Sequence, residues 1–112
     1  MNPLLSKKCI PCEGGVEALE GKALTDLLAQ VPAWRLSEDR KAITREYKFH
    51  DFVEGVVFIT NVAHVAEEEG HHPNVYLHDY KFVLMTLTTN AIGGLSENDF
   101  ILAAKIDRVS TD

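Results

Sequence analysis

The sequence predicts an α+β fold: a four-stranded antiparallel sheet with helices packed on one face, in the order α-β-β-α-β-β-α. Three observations predict it. Apolar residues recur at helical spacing in three separate stretches, over about 20–31, over 51–70 and after Ser96. Between these stretches lie two pairs of short segments with strand composition, each pair joined by a short turn, and strands joined that way pair antiparallel. The 112 residues leave room for one core, and 46% hydrophobic with 25% charged residues is the balance of a folded globular domain.

Residues 1–16 read as an N-terminal arm broken by Pro3, Pro11 and Gly14-Gly15, ahead of a single domain over 17–112. The first helix puts Ala23, Leu24, Leu27, Leu28 and Val31 on one face and stops at Pro32. Residues 34–36 make a short strand and 37–40 its turn. The second strand, over 41–49, carries Ile43, Tyr47 and Phe49 on one face and Thr44, Glu46 and Lys48 on the other. Arg45 falls on the apolar face and breaks the alternation. Asp51 opens the second helix, with Glu54 three residues on in a capping-box pattern. Its expected buried stripe is Phe52, Val56, Ile59, Val62, Ala63 and Ala66, and Gly70 closes it. Residues 75–77 and 82–88 are the third and fourth strands, joined at His78-Asp79-Tyr80, with Val83, Met85 and Leu87 facing one side. Residues 90–95 form a loop with Gly93-Gly94. Ser96 then caps the third helix, with Asp99 in the capping-box position and Phe100, Ala103, Ala104 and Ile106 as its buried stripe. The other sheet face and the edge strands need cover, which predicts a homodimer or homotetramer.

Composition narrows the function. A net charge of −6 argues against direct nucleic-acid binding through a basic patch. No apolar run approaches the ~18 residues of a membrane span. The N-terminal residues lack the apolar block of a secretory signal, so the cytoplasm is the expected compartment. The two cysteines form Cys9-Ile-Pro-Cys12. One such pair cannot complete a tetrahedral zinc site by itself, and its flanks are not those of a redox motif between a strand and a helix. Reduced thiols in an ordered or half-ordered arm are expected, with an intersubunit, metal or redox role as alternatives.

The chemistry concentrates in Glu67-Glu68-Glu69-Gly70-His71-His72-Pro73. Three carboxylates at a helix C-terminus oppose the macrodipole, at roughly 0.3–1 kcal/mol each. Two histidines follow, the side chains best suited to give and take protons near neutral pH. Adjacent histidines diverge, and His64, Glu68 and His71 would converge on a metal only if the helix ran past Gly70. No metal and no cofactor are expected. An ordinary structural hydrogen bond is the plain alternative for each histidine.

Residues 34–107 resemble the pterin-4a-carbinolamine dehydratases. The resemblance rests on Ile43-x-Arg45-x-Tyr47-x-Phe49, Phe58-x-x-x-Val62-Ala63 and Glu67-x-x-x-His71-His72-Pro73. Thr88-Thr89 and Gly94-Leu95-Ser96-x-x-Asp99 complete it. It implies dehydration of a 4a-hydroxytetrahydropterin to the quinonoid dihydropterin, which recycles the tetrahydropterin of phenylalanine hydroxylase and makes that hydroxylase a candidate partner. It implies His71 as general acid/base and His72 as a residue that orients the pterin and shares proton transfer. Glu67 would hold a histidine or a pterin nitrogen, and the Thr88-Thr89 backbone would edge the pocket. Asp99 is implied more weakly, because helix capping also explains it. The family usually carries a third catalytic histidine where this chain has Asn90. An amide can hydrogen-bond a leaving hydroxyl but cannot act as acid or base near neutral pH. Animal members of the family also act as dimerisation cofactors of a homeodomain transcription factor. The alternative reading is therefore a pterin- or protein-binding module with little turnover.

Overall fold

The computed structural model describes residues 2–10 and 17–110. The element order is the expected one: α1 (Gly21–Ala29), β1 (Arg35–Leu36), β2 (Ile43–Lys48), α2 (Phe52–Glu69), β3 (Asn74–His78), β4 (Phe82–Leu87) and α3 (Glu97–Ser110). Two single 3₁₀ turns are added, Pro3–Ser6 in the arm and Asn90–Ile92 in the loop after β4. The four strands run antiparallel in the order β1-β2-β4-β3. Register sets Ile43 opposite Leu87, Arg45 opposite Met85 and Tyr47 opposite Val83. One face of the two central strands is therefore apolar at every one of these positions but Arg45, and the helices cover it.

Helix α3 is the centre of the core. Phe100, Ile101, Leu102, Ala103 and Ile106 are all at most 1% exposed, because α2, α1 and the Pro3–Ser6 turn flank the helix. The turn contributes Leu4, which is 1% exposed, so residues 2–10 are tied to the core. Full burial of side chains of this size is worth about 1.5–3 kcal/mol each.

Arg45, the residue that breaks the alternation of β2, has a partner on α3. Its Nη1 donates to Asp107 Oδ1 at 2.7 Å, and its guanidinium carbon lies 4.5 Å from the centre of the Tyr47 ring. The same carboxylate oxygen accepts from Trp34 Nε1 at 3.0 Å and from the Tyr47 hydroxyl. Burial, and then the bond to Asp107, push the Tyr47 phenol well above its ordinary range. An ion on the apolar face of a strand is thus the counter-charge of a carboxylate on the covering helix.

The expected stripe on α2 is partly out of phase. Gly55, Phe58, Val62 and Ala66 face the core and Ile59 and Val65 pack at its margin, whereas Phe52, Val56 and Ala63 are exposed. The first half of this helix carries Phe52, Val53, Val56 and Val57, apolar residues pointing outward, so the apolar positions alone do not set its phase. Gly55 lies against Leu77 and Val83 and, having no side chain, leaves no mark on a hydrophobic pattern. The fourth strand also ends one residue earlier than expected, at Leu87, because Thr88 turns its hydroxyl onto the Lys41 carbonyl at 2.5 Å.

Candidate active site

Two chain segments meet at the N-terminus of α3. The first leaves α2. Gly70 takes the left-handed conformation, φ 66°, which ends the helix, and the Gly70 and His71 N–H groups both donate to the Ala66 carbonyl. His71-His72-Pro73 then leads into β3. The second segment leaves β4 through Thr88 and Thr89. The Thr89 N–H donates to the Gly94 carbonyl at 2.8 Å, which folds the Asn90–Ile92 turn back on itself.

Asp99 joins the two. It is completely buried, and its Oδ2 accepts from the Ser96 N–H at 3.0 Å and the Thr89 hydroxyl at 2.8 Å. Its Oδ1 lies 2.6 Å from His71 Nε2. The capping position and the site are therefore one residue: one oxygen closes the helix start and the other faces the histidine. The positive end of the helix dipole and three hydrogen-bond partners offset the desolvation of this carboxylate. Because a carboxylate accepts, it holds the proton of a neutral His71 on Nε2 and leaves the Nδ1 lone pair for chemistry. Among the described residues Nδ1 has no hydrogen-bond partner.

His72 forms a second histidine–carboxylate pair, its Nε2 lying 2.5 Å from Glu67 Oε2. The two pairs differ in solvation. The His71 side chain is 13% exposed over a buried Asp99, whereas His72 and Glu67 are 59% and 76% exposed. The first is fixed by packing, and the second is screened by water.

Of the other carboxylates at the end of α2, Glu69 is also paired. Its Oε2 accepts from Lys105 Nζ at 2.5 Å and its Oε1 from the Cys9 N–H at 2.8 Å. Burial opposes the Glu69 charge, but those two bonds outweigh it and hold the carboxyl below its ordinary range. Lys8 adds a cation at this negative helix end, 3.3 Å from the Glu68 carbonyl oxygen. Beside it the Cys9 thiol is pushed up to about 12, first by burial and then by the Glu69 charge, and so lacks the thiolate character of a reactive cysteine. Cys12 lies outside the described residues.

A cleft of about 300 Å³ opens over this junction, lined by His71, His72, Thr88, Thr89 and Asn90 together with Ile10, Gly70, Ala91 and Asn98. Larger hollows, of about 430 and 360 Å³, lie over β2 and beside α2, and neither is lined by a histidine. Chemistry rather than size therefore singles out the smaller cleft. Asp99 and Glu67 do not line it, and each bears on it through the histidine it holds. Ile10 and Asn98 did not stand out in the sequence: one is a single aliphatic residue between Cys9 and Pro11, and the other is a polar residue in the first turn of a helix. Among the described residues no group of three His, Cys, Asp or Glu side chains is placed to hold a metal ion. His71 lies past Gly70 and off the α2 face that carries His64 and Glu68. No helix of the described residues is long and apolar enough to cross a membrane.

The sequence model of the pterin 4 alpha carbinolamine dehydratase family matches residues 17–109. The chain belongs to this family. A Halorhodospira halophila protein with a provisional pterin-4-alpha-carbinolamine dehydratase name is 43% identical over 93% of this chain and 94% of its own length. Pterin-4-alpha-carbinolamine dehydratase 2, mitochondrial, of Arabidopsis thaliana is 40% identical over 97% of this chain and 60% of its own length. Among solved structures, a transcriptional coactivator/pterin dehydratase from Brucella melitensis superposes with a TM-score of 0.77 at 31% identity, covering 83% of this chain and 98% of its own. A pterin dehydratase-like RuBisCO assembly factor of the alpha-carboxysome shares the fold, with a TM-score of 0.59 at 23% identity over 70% of this chain and 89% of its own. Proteins that share this fold are thus named for catalysis, for coactivation and for assembly.

Proposed function

We propose that this chain dehydrates 4a-hydroxytetrahydropterins to the quinonoid dihydropterin and water, and so recycles the tetrahydropterin of phenylalanine hydroxylase in the cytoplasm. The observation that carries the reading is His71, held by the buried Asp99, facing a cleft edged by His72, Thr88, Thr89 and Asn90. The reaction breaks the C4a–O bond. A proton goes to the departing hydroxyl and another leaves a ring nitrogen, so water and the quinonoid ring form with no change in redox state. His71, oriented by Asp99, exchanges the proton through Nδ1. His72 orients the pterin with Glu67 behind it, and the Thr88-Thr89 segment edges the ring. The chain would act as a homodimer or homotetramer, a reading supported by the outward apolar residues of α2 and by β3 at the sheet edge. The test is a dehydration assay with both 4a-hydroxy stereoisomers. Acceleration of at least one over its spontaneous loss of water is expected, and acceleration of neither would sink the proposal.

The second reading, a pterin- or protein-binding module with little turnover, draws on Asn90. This residue is exposed at the edge of the cleft and supplies no acid or base. Asn90→His is predicted to raise the rate for the disfavoured stereoisomer by about 10-fold or more and to change the favoured one little. A folded, pterin-binding variant that gains on neither isomer would show that Asn90 does not occupy the third catalytic position.

A further inference from the structure

Ile10 is the most exposed large apolar side chain among the described residues, 72% accessible, yet its backbone is held from both sides. Its N–H donates to Asn98 Oδ1 at 3.0 Å, and Asn98 Nδ2 donates back to its carbonyl at 2.6 Å. An N–H can only donate, so the pair of bonds also fixes the orientation of the Asn98 amide. Asn98 is 5% exposed and adjoins Asp99, the residue that holds His71. One residue earlier, the Cys9 N–H is held by Glu69, two positions before His71 on the other arm of the junction. Further back, the fully buried Leu4 anchors the same segment. The segment is thus clamped to both elements that carry the site, and the residue it presents to the cleft is left in water. Pinning a backbone costs conformational freedom, and an exposed isoleucine gains nothing from burial to offset that. Among the described residues, moreover, Ile10 and Ala91 are the only apolar side chains in a lining otherwise made of His, Thr, Asn and glycine.

We infer that Ile10 is a specificity-determining residue: an apolar wall, set by the Asn98 latch, that packs against the flat heterocycle bound in the cleft. This rests on the pterin reading of the site. Binding supplies the burial that the free protein lacks, and the polar groups opposite are left to orient the ring. A wall of this kind acts equally on ground state and transition state, so it bears on KM and leaves kcat nearly unchanged.

The experiment compares wild type, Ile10→Ala, Ile10→Leu and Asn98→Ala. It measures the KM and kcat of carbinolamine dehydration, and the Kd of 7,8-dihydrobiopterin by calorimetry. Ile10→Ala is expected to raise KM and Kd by about 10-fold, the scale of a lost aliphatic contact, with kcat little altered. Ile10→Leu should restore both, and Asn98→Ala, where folded, should reproduce the loss with the isoleucine still present. The exposed position keeps Ile10→Ala safe for folding. Unchanged KM and Kd in that variant would overturn the inference, as would a fall in kcat alone. The calorimetric arm separates the two proposals. Affinity that depends on Ile10 in a protein that dehydrates nothing would end the dehydratase reading and keep the wall, whereas a wild type that binds no dihydropterin would end both.

Discussion

His71→Ala is expected to lower the turnover of carbinolamine dehydration at least ~10²-fold, the scale of a lost general acid or base. The geometry adds a sharper expectation about the carboxylates behind the two histidines. Asp99 is fully buried and touches His71 at 2.6 Å, so Asp99→Asn exchanges a pure acceptor for a group that also donates. The amide must still accept from the Ser96 N–H and the Thr89 hydroxyl, which turns its NH₂ toward His71 and favours the tautomer with the proton on Nδ1. A loss of at least ~10²-fold in kcat, approaching that of His71→Ala, with KM nearly unchanged is expected. Glu67→Gln should cost far less, because the His72–Glu67 pair stands in water. His72→Ala is expected to lose at least ~10²-fold as well, through orientation and shared proton transfer. Steady-state kinetics on variants with wild-type circular dichroism would check the series. Near-normal turnover in a folded His71→Ala protein would remove its catalytic role, and equal losses in Asp99→Asn and Glu67→Gln would remove the distinction drawn between the pairs.

What could be read from the sequence follows from which physical signals are local. Asp51 with Glu54 and Gly70 marked both ends of α2, because capping and a left-handed closure are written in a few adjacent residues. The alternation of Val83, Met85 and Leu87 gave the buried face of β4 for the same reason. The rotation of α2 was not legible, since Val53, Val56 and Val57 satisfy a helical pattern as well as the core residues do and a glycine contributes no pattern. Nor could periodicity decide that Asp99 serves both the cap and His71. Its position three residues after Ser96 already had a sufficient local explanation, and the second partner lies 28 residues away in sequence. Ile10 and Asn98 were invisible for a related reason: their bonds span 88 residues, and neither residue type announces a site. The junction of α2, β4 and α3 is assembled by tertiary packing from segments whose individual signals concern only their own helix or strand.

Arg45 was the one residue whose misfit could be seen in the sequence but not resolved, and it leads to the largest predicted effect on stability. Asp107 Oδ1 accepts from Trp34, Arg45 and Tyr47, so removing the carboxylate leaves a guanidinium and two further donors without their acceptor. Asp107→Ala is expected to cost about 3 kcal/mol, or roughly 10–20 °C in Tm for a domain of this size. The Arg45 and Asp107 side chains are 30% and 26% exposed, which keeps the loss at the lower end of the range for a buried pair. Arg45→Met should be milder, about 1 kcal/mol. The carboxylate then keeps two donors and some access to water, and the new side chain suits the apolar face on which it lies. Asp107 also lies eight residues beyond Asp99 on α3, about 12 Å along the axis, so neither change should alter KM at a temperature where the protein is folded. Urea denaturation of the two variants decides the matter. If Arg45→Met proves as costly as Asp107→Ala, the carboxylate is not the common acceptor that ties α3 to the sheet, and the stability of this corner resides in the packing of the arginine stem over Tyr47.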